Sequence, residues 1–156
     1  MKNKLGFLIS LVTLAVVAIA CNMSTANLSS WKLSTDKDGK NETSSFKAGD
    51  TINGRGQVAN NGGKVTVKMY MTADDVTGLK KGDTLKGSDV SVEINNDGVA
   101  LYTLPIPQGM TAGKYIVTAD MTNDAGEKKD SKSINITIAA GASPAAPSKK
   151  TDDNDN

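Results

Sequence analysis

The sequence predicts an all-β protein, folded as a single seven-stranded antiparallel β-sandwich. From residue 22 onward, apolar side chains alternate with polar ones, and no long stretch has helical spacing. Gly, Asn, Asp, Ser and Thr interrupt this alternation at short intervals, as the turns between strands require. The chain has 156 residues, of which 38% are hydrophobic, which is enough for about one domain with its own core. An open β-barrel is the main alternative.

The first twenty residues form a separate segment with the features of a signal peptide. Lys2 and Lys4 give a short positive start, and an apolar run of 16 residues extends from Leu5 to Ala20. A transmembrane helix needs about 20 apolar residues, so this run is short for a permanent span but typical of a signal-peptide core. We therefore expect residues 1–20 to direct export and to be removed.

Small residues precede the only cysteine, in the order Ala18, Ile19, Ala20, Cys21. This pattern resembles the lipobox of bacterial lipoproteins, with Ala18 at the position where leucine is commonest. The resemblance implies that Cys21 receives a thioether-linked diacylglycerol and an acyl chain such as palmitate, and becomes the new N-terminus. An ordinary signal peptide that is cut near a cysteine is the alternative.

The lipobox implies a location as well as a modification. Two or three acyl chains hold a protein on a bilayer stably, at about 0.8 kcal/mol for each buried methylene. The expected location is the bacterial cell envelope, and the outer membrane if the source is Gram-negative, because Asn22 rather than aspartate follows the cysteine. Removal of Lys2 and Lys4 leaves 16 of the 18 basic groups against 17 acidic groups, so lipid rather than charge is expected to hold the chain. Residues 21–27 are the lipidated cysteine and a short tether.

The first predicted strand covers residues 28–34 and carries the only tryptophan, Trp31. The second covers residues 51–59, where Gly54 and Gly56 weaken the strand pattern and predict a bulge. These two strands open the predicted sandwich.

The third and fourth predicted strands, residues 64–72 and 88–95, alternate most regularly. Their apolar faces consist of Val65, Val67, Met69 and Met71 in the third strand and of Val90, Val92 and Ile94 in the fourth. The fifth predicted strand is residues 99–104. Its weaker alternation runs through Val99, Leu101 and Thr103. Pro105 ends this strand, because proline has no N–H to donate to a strand ladder.

The sixth and seventh predicted strands are residues 113–122 and 132–139. Their apolar faces consist of Tyr115, Val117 and Ala119 in the sixth strand and of Ile134, Ile136 and Ile138 in the seventh. After Ala139 no apolar residue is larger than alanine, so nothing offsets the entropy of ordering. Residues 141–156 are therefore predicted to be a disordered tail.

A short motif at the start of the sixth strand is more specific. Gly113 stands two residues before Tyr115, within the run 111–117. This motif resembles the tyrosine corner of immunoglobulin-like and fibronectin-III-like domains, which implies that Tyr115 buries its ring and bonds upstream backbone through its hydroxyl. The resemblance implies one such domain over residues 28–140. The disulfide of antibody domains is absent, since Val117 stands in the place of their second cysteine, and the resemblance brings no active site with it.

Composition excludes several kinds of chemistry. The chain has no histidine and one cysteine, which excludes Ser-His-Asp and Cys-His catalysis, imidazole metal sites and an intramolecular disulfide. No phosphate-loop or dinucleotide motif occurs. The 18 basic and 17 acidic residues nearly balance, so nucleic acid is not an expected partner. We therefore expect no enzyme activity, and no cofactor beyond the lipid on Cys21.

Strand counting gives the two ends of the sandwich different roles. Successive antiparallel strands reverse, so the tether, which reaches at most about 20 Å, keeps the short turns near the membrane. The opposite end receives the long connections 35–50, 73–87 and 105–112. Binding usually concentrates in long loops on a rigid scaffold. The sequence thus predicts a non-enzymatic binding or structural module whose membrane-distal loops contact another envelope protein, a host surface or a wall polymer.

The candidate binding residues are charged side chains of these loops, namely Asp36, Asp38, Lys80, Lys81 and Lys86. The alternative function is a calcium- or small-ligand-binding lipoprotein that uses its Asp-rich loops. Its weak metal candidates are Asp36, Asp38 and Asn41. A twelve-residue calcium loop needs glycine at its sixth position, whereas counting from Asp36 the glycine is fourth and a lysine is fifth. Solvated turns explain these residues better.

Overall fold

A computed structural model describes residues 25–141. The predicted signal peptide, Cys21, most of the tether and the predicted tail beyond Gly141 lie outside the described residues. Within this range the secondary structure is all β, and no helix there is long and apolar enough to cross a membrane. The strands are β1 (Asn27–Ser34), β2 (Ser45–Lys47), β3 (Thr51–Ala59), β4 (Lys64–Val76), β5 (Val90–Asn95), β6 (Gly98–Pro105), β7 (Gly113–Asn123) and β8 (Lys128–Ala139).

The strands form two sheets around one core. One sheet has three strands in the order β1-β3-β6, and the other has five in the order β2-β8-β7-β4-β5. Buried side chains from both sheets form a single hydrophobic cluster. The all-β sandwich prediction is therefore confirmed, and the barrel alternative is not what the chain forms.

The sequence predicts seven strands, whereas the described residues contain eight, and the additional strand is β2. β2 pairs with β8 in parallel, with Phe46 opposite Ile138, so the sandwich is not entirely antiparallel. A strand of three residues is too short to produce an alternating pattern in the sequence. Its contribution to the core is the single buried side chain of Phe46.

The prediction of a bulge in the second strand is also wrong. β3 pairs with β6 without any shift of register, and the irregularity lies in β1, between Leu28 and Ser30. Gly54 instead makes room for the indole of Trp31, whereas a side chain at Gly56 would be in ordinary contact with it. A Cβ atom on Gly54 would lie 2.4 Å from Trp31 Cη2, and a Cβ atom on Gly56 would lie 3.4 Å from Trp31 Cε3.

The fifth predicted strand, β6, buries the face opposite to the one its weak pattern favours. Ala100 and Tyr102 lie in the core, while Val99 is 40% exposed and Leu101 is 55% exposed. β6 is at the edge of its three-stranded sheet, and its outer face is exposed to solvent. The tyrosine ring fills the core, and alanine leaves space for neighbouring side chains, so hydrophobicity alone does not reveal the inward face.

β4 is longer than predicted and forms part of a hairpin. It continues to Val76, with a register shift between Ala73 and Asp75. The chain then folds back along β4, since the Leu85 N–H donates to the Met71 carbonyl at 2.9 Å. The predicted long connection 73–87 is therefore partly strand.

The strand registers place the loops at two ends, as the strand count predicts. The short-turn end holds the start of β1 and the turns 60–63, 96–97 and 124–127, because Asn27 pairs with Ala59 and Lys64 with Asn95. Here the Asn61 N–H donates to Asp97 Oδ1 at 2.8 Å, which joins two of the turns.

The long-loop end holds the remaining connections. Thr51 pairs with Pro105, and Gly113 pairs with both Val76 and Ile138. The connections at this end are therefore residues 35–44, 48–50, 77–89 and 106–112.

Candidate functional site: an apolar groove at the long-loop end

An open groove of about 440 Å³ lies at the long-loop end, and we term it the distal groove. One wall is the connection between β4 and β5, and the other wall is the connection between β6 and β7. Its lining consists of Met71, Leu79, Leu85, Lys86, Gly87, Ser88, Leu104, Pro105, Pro107, Met110, Thr111 and Tyr115. Two loops that are far apart in sequence thus enclose one mostly apolar space.

Backbone hydrogen bonds hold each wall in shape. In the first wall, the Ala73 N–H donates to the Asp83 carbonyl at 2.9 Å and the Ser88 N–H to the Leu85 carbonyl at 3.2 Å. The second wall begins where Pro105 ends β6, and a turn then forms in which the Met110 N–H donates to the Pro107 carbonyl at 3.0 Å. The groove therefore follows from two ordered connections.

The polar groups at the base of the groove bond to other parts of the protein. Ser88 Oγ donates to the Leu85 carbonyl at 2.7 Å and accepts the Met71 N–H at 3.1 Å. The Tyr102 hydroxyl donates to the Ser88 carbonyl at 2.9 Å. Across residues 25–141, every buried side-chain nitrogen or oxygen atom has a hydrogen-bond partner. The groove consequently offers an occupant an apolar surface.

The tyrosine corner is present at the base of the groove. Tyr115 is buried, and its hydroxyl donates to the Thr111 carbonyl at 2.6 Å, as the motif predicts. Burial raises the pKa of Tyr115. The hydrogen bond fixes the start of β7 against the preceding connection, and so helps to position the second wall.

Of the predicted lysines, one lines the groove and the others lie on its first wall. Lys86 is part of the lining. Lys81 Nζ lies 2.6 Å from Asp74 Oδ1, and this hydrogen-bonded carboxylate raises the pKa of Lys81. Lys80 is exposed, and its backbone N–H donates to Asp83 Oδ2 at 3.0 Å.

The predicted acidic residues lie in a different part of this end. Asp36 accepts the Lys40 N–H at 3.0 Å and the Asn41 N–H at 2.7 Å, and these backbone hydrogen bonds lower the pKa of its carboxyl. Asp38 is exposed and lies 3.4 Å from Lys40 Nζ. Their turn packs beside β3, where Arg55 donates to the Lys37 carbonyl at 3.4 Å. The structure thus separates them from the lysines of the β4–β5 connection.

Hydrogen bonds within the turn hold the segment that contains Asp36, Asp38 and Asn41. Gly39 has a φ of 75°, and its N–H donates to the Asp36 carbonyl at 3.3 Å. Both carboxylate oxygens of Asp36 accept backbone hydrogen bonds. No group of three or more His, Cys, Asp or Glu side chains suited to a metal ion occurs among the described residues.

The apolar groove residues were not among the predicted site residues. The predicted site residues are charged side chains of the long loops at this end. The signal in the sequence was the presence of large apolar residues inside polar connections, namely Leu79, Leu85, Pro107 and Met110. Their convergence depends on the packing of one loop beside another.

Neither a family model nor a characterised protein sequence matches the chain. Solved structures do match in fold. The C-terminal domain of Wzt is 11% identical, with a TM-score of 0.50 and coverage of 80% of this chain and 79% of that chain. An immunoglobulin-like protein from Pseudomonas aeruginosa is 8% identical, with a TM-score of 0.44 and coverage of 72% and 95%. A cycloisomaltooligosaccharide glucanotransferase from Paenibacillus is 18% identical, with a TM-score of 0.45, and the match spans 15% of that enzyme.

At this level of identity the similarity defines the fold alone. The two sheets around one core and the tyrosine corner are those of an immunoglobulin-like β-sandwich, and the match to the C-terminal domain of Wzt agrees with this architecture. Such sandwiches carry many different functions, so the function depends on the distal groove and the loops around it.

Proposed function

We propose that this chain is a lipid-anchored protein of the bacterial envelope that acts as a non-enzymatic binding or structural module through its long-loop end. The observation that carries this proposal is the distal groove, an open apolar surface at the end of the domain opposite the start of β1. Exposed apolar patches on soluble domains mark interaction sites. The lipid expected on Cys21 would precede β1 by a few residues, so the groove would face away from the bilayer.

The loops around the groove support a binding role over a purely structural one. Leu79, at the mouth of the groove, is 44% exposed, although it lies on a well-formed turn in which its N–H donates to the Val76 carbonyl at 3.2 Å. The exposed part of the Leu79 side chain adds little to the stability of the monomer. It does provide an ordered apolar contact for a partner.

Charge reversal in the loops tests the proposed surface. We expect Lys80→Glu and Lys86→Glu to weaken crosslinking to the partner in native membranes, with little change in melting temperature, because both side chains are exposed. Asp124→Lys, at the short-turn end, is the control and should leave crosslinking unchanged. If the control alone weakens crosslinking, the working surface faces the membrane and the proposal fails.

A pair of leucines separates groove contacts from general hydrophobicity. Leu79 is 44% exposed at the groove, and Leu101 is 55% exposed on β6. We expect Leu79→Ser to reduce partner crosslinking and Leu101→Ser to have no effect. Equal losses in the two variants would indicate nonspecific adhesion and would reject the groove as the contact.

The calcium alternative has its own test. The Asp36 carboxylate already accepts two backbone N–H groups, so we expect equal melting temperatures in calcium and in chelator. A melting temperature that rises with calcium concentration would favour the alternative, because a ligand that binds only the folded state stabilises it.

A further inference from the structure

We propose that the distal groove binds a single-chain anionic amphiphile, that is, one hydrocarbon chain that ends in a carboxylate or a similar anion. The inference rests on the proposed function, since it uses the same surface, and it adds the chemical class of the ligand. Three properties of the groove lead to it: its size, its lack of unpaired buried side-chain polar atoms within residues 25–141, and the sign of its charge.

The size of the groove suits a small ligand. Its volume of about 440 Å³ falls within the range of roughly 300–1,000 Å³ that is usual for small-molecule sites. Met71 and Tyr115 lie at its base and are 1% exposed, whereas Leu79 at its mouth is 44% exposed. A ligand can thus enter from the open side and rest on a buried apolar base.

The polarity of the base restricts the buried part of the ligand to apolar groups. The Ser88 hydroxyl and the Tyr115 hydroxyl are both occupied by hydrogen bonds within the protein. A polar group placed against this base would lose its hydration and would find both hydroxyl protons already donated within the protein. The hydroxyls of a sugar polymer therefore fit poorly, and a hydrocarbon chain fits well.

The positive charge of the lining favours a ligand with an anionic end. Among the lining residues, Lys86 carries the only formal charge, and no carboxylate lines the groove. Lys81 is engaged by Asp74 at 2.6 Å and lies outside the lining. A ligand anion at the rim would therefore pair with Lys86, with no acidic side chain of the lining to repel it. A single lysine in the lining therefore favours a ligand with a single anionic group.

The test uses a chain that begins at residue 22 and retains every residue of the hydrophobic core. Without Cys21 it needs no detergent, which would compete for the groove. The probe is dodecanoate below its micellar concentration, measured by isothermal titration calorimetry. We expect saturable binding of one dodecanoate for each chain and a melting temperature that rises with its concentration. Absence of saturable binding overturns the inference.

Three variants locate the site. Met110→Asp places a charge in the lining and should abolish binding, whereas Leu101→Asp, on the exposed face of β6, should leave it unchanged. Lys86→Gln should weaken dodecanoate binding about 2–5-fold, as expected for a solvent-exposed ion pair, and leave dodecanol binding unchanged. Equal losses in the Met110 and Leu101 variants, or equal binding of dodecanol and dodecanoate, overturn the inference. Melting curves establish that each variant is folded.

Two further outcomes separate the ligand from its source and from the proposed function. Binding to phosphatidylglycerol vesicles without binding to dodecanoate would reject a single-chain ligand in favour of a membrane surface. Loss of partner crosslinking in Lys86→Glu without dodecanoate binding would keep the proposed function and reject the amphiphile. If the protein binds dodecanoate and Lys86→Glu leaves partner crosslinking unchanged, the ligand is kept and the groove is rejected as the partner contact.

Discussion

The side chain of Trp31 packs between the two sheets. Its indole N–H donates to the Val117 carbonyl of the opposite sheet at 3.2 Å, and its ring lies 6.3 Å from that of Tyr102. The ring lies over Gly54 and Gly56 of the neighbouring strand, and a side chain at Gly54 would crowd it. Glycine is usually unfavourable in a strand, and here the largest side chain of the protein fills the space that glycine leaves.

Gly54→Ala should destabilise the domain by about 1–3 kcal/mol, as is typical of overpacking in a core. The new Cβ atom would lie 2.4 Å from Trp31 Cη2 and 3.1 Å from Tyr102 Cβ. Gly62→Ala is the matched control, since a Cβ atom at Gly62 would meet no neighbouring group within 4 Å, and it should change stability by less than about 0.5 kcal/mol. Urea unfolding measures both, and equal effects would contradict the packing argument.

The two buried tyrosines should respond differently to loss of their hydroxyl groups. The Tyr102 hydroxyl donates to the Ser88 carbonyl in a fully buried hydrogen bond, whereas the Tyr115–Thr111 hydrogen bond is part-buried. We expect Tyr102→Phe to destabilise by about 1–3 kcal/mol and Tyr115→Phe by about 1 kcal/mol, because water can reach the Thr111 carbonyl in the second variant. A larger effect at Tyr115, measured by denaturant unfolding, would contradict this order.

Among the secondary-structure elements, β4, β7 and β8 are joined by a polar cluster as well as by backbone pairing. Asp120 on β7 accepts the Tyr70 hydroxyl at 2.9 Å and the Ser131 hydroxyl at 2.6 Å, and it lies 2.7 Å from Lys128 Nζ. Burial disfavours the ionised carboxylate, but the hydrogen bonds from Lys128, Ser131 and Tyr70 outweigh it and lower the pKa of Asp120. The ionised form is therefore favoured in the folded state.

This cluster predicts an acid-sensitive contribution to stability. The folded-state pKa of Asp120 lies below its ordinary value of 3.8, so its contribution is complete well above pH 4 and is lost as the pH falls through the folded-state pKa. We expect Asp120→Asn to lower the melting temperature at pH 7 and to reduce the further decline at acidic pH. Circular dichroism melting between pH 2 and pH 7 measures both effects.

Asp38→Asn is the control for this prediction. Asp38 belongs to an exposed pair with Lys40, and such pairs contribute little to stability. We expect its melting temperature to match the wild-type value throughout the pH series. An acid decline that is the same in Asp120→Asn as in the wild-type chain would show that other carboxylates account for it.

For the molecule as a whole, the arrangement of ends is the feature that connects structure to the proposed function. The start of β1 lies among short turns that are joined by side chains, such as Asn61 Nδ2, which donates to the Asn96 carbonyl at 2.7 Å. The opposite end holds the longer connections and the distal groove. A chain anchored before β1 would therefore present the groove to the surroundings and keep its compact end toward the bilayer.

Cys21→Ser tests the anchor that this arrangement requires. We expect the variant to move from the membrane fraction to the soluble fraction, or to accumulate with its signal peptide uncleaved. The core consists of described residues after Cys21, so the melting temperature should be unchanged in the processed variant. Fractionation and immunoblotting measure the distribution, and a processed variant that stays membrane-bound would reject the lipoprotein interpretation.

The inward faces of β4, β5, β7 and β8 were predictable because apolar residues recur at every second position over most of each strand. Val67, Val117 and Ile136 are all buried as the pattern predicts. Pro105 ends β6 as expected, since it has no N–H, and the Tyr115 corner follows from a local motif. These features depend on residues that are close in sequence. A local rule is sufficient to predict them.

Local sequence was enough to predict the fold class and seven of the eight strands, because alternation and turn residues act over a few neighbouring positions. Tertiary packing was needed to show that β2 joins β8, that Gly54 makes room for Trp31 and that β6 buries Tyr102. The distal groove belongs with these, because its walls are separate connections that meet only when the two sheets pack together. Which surfaces face each other depends on complementary volumes across the core, and no single stretch of sequence contains both sides of such a contact.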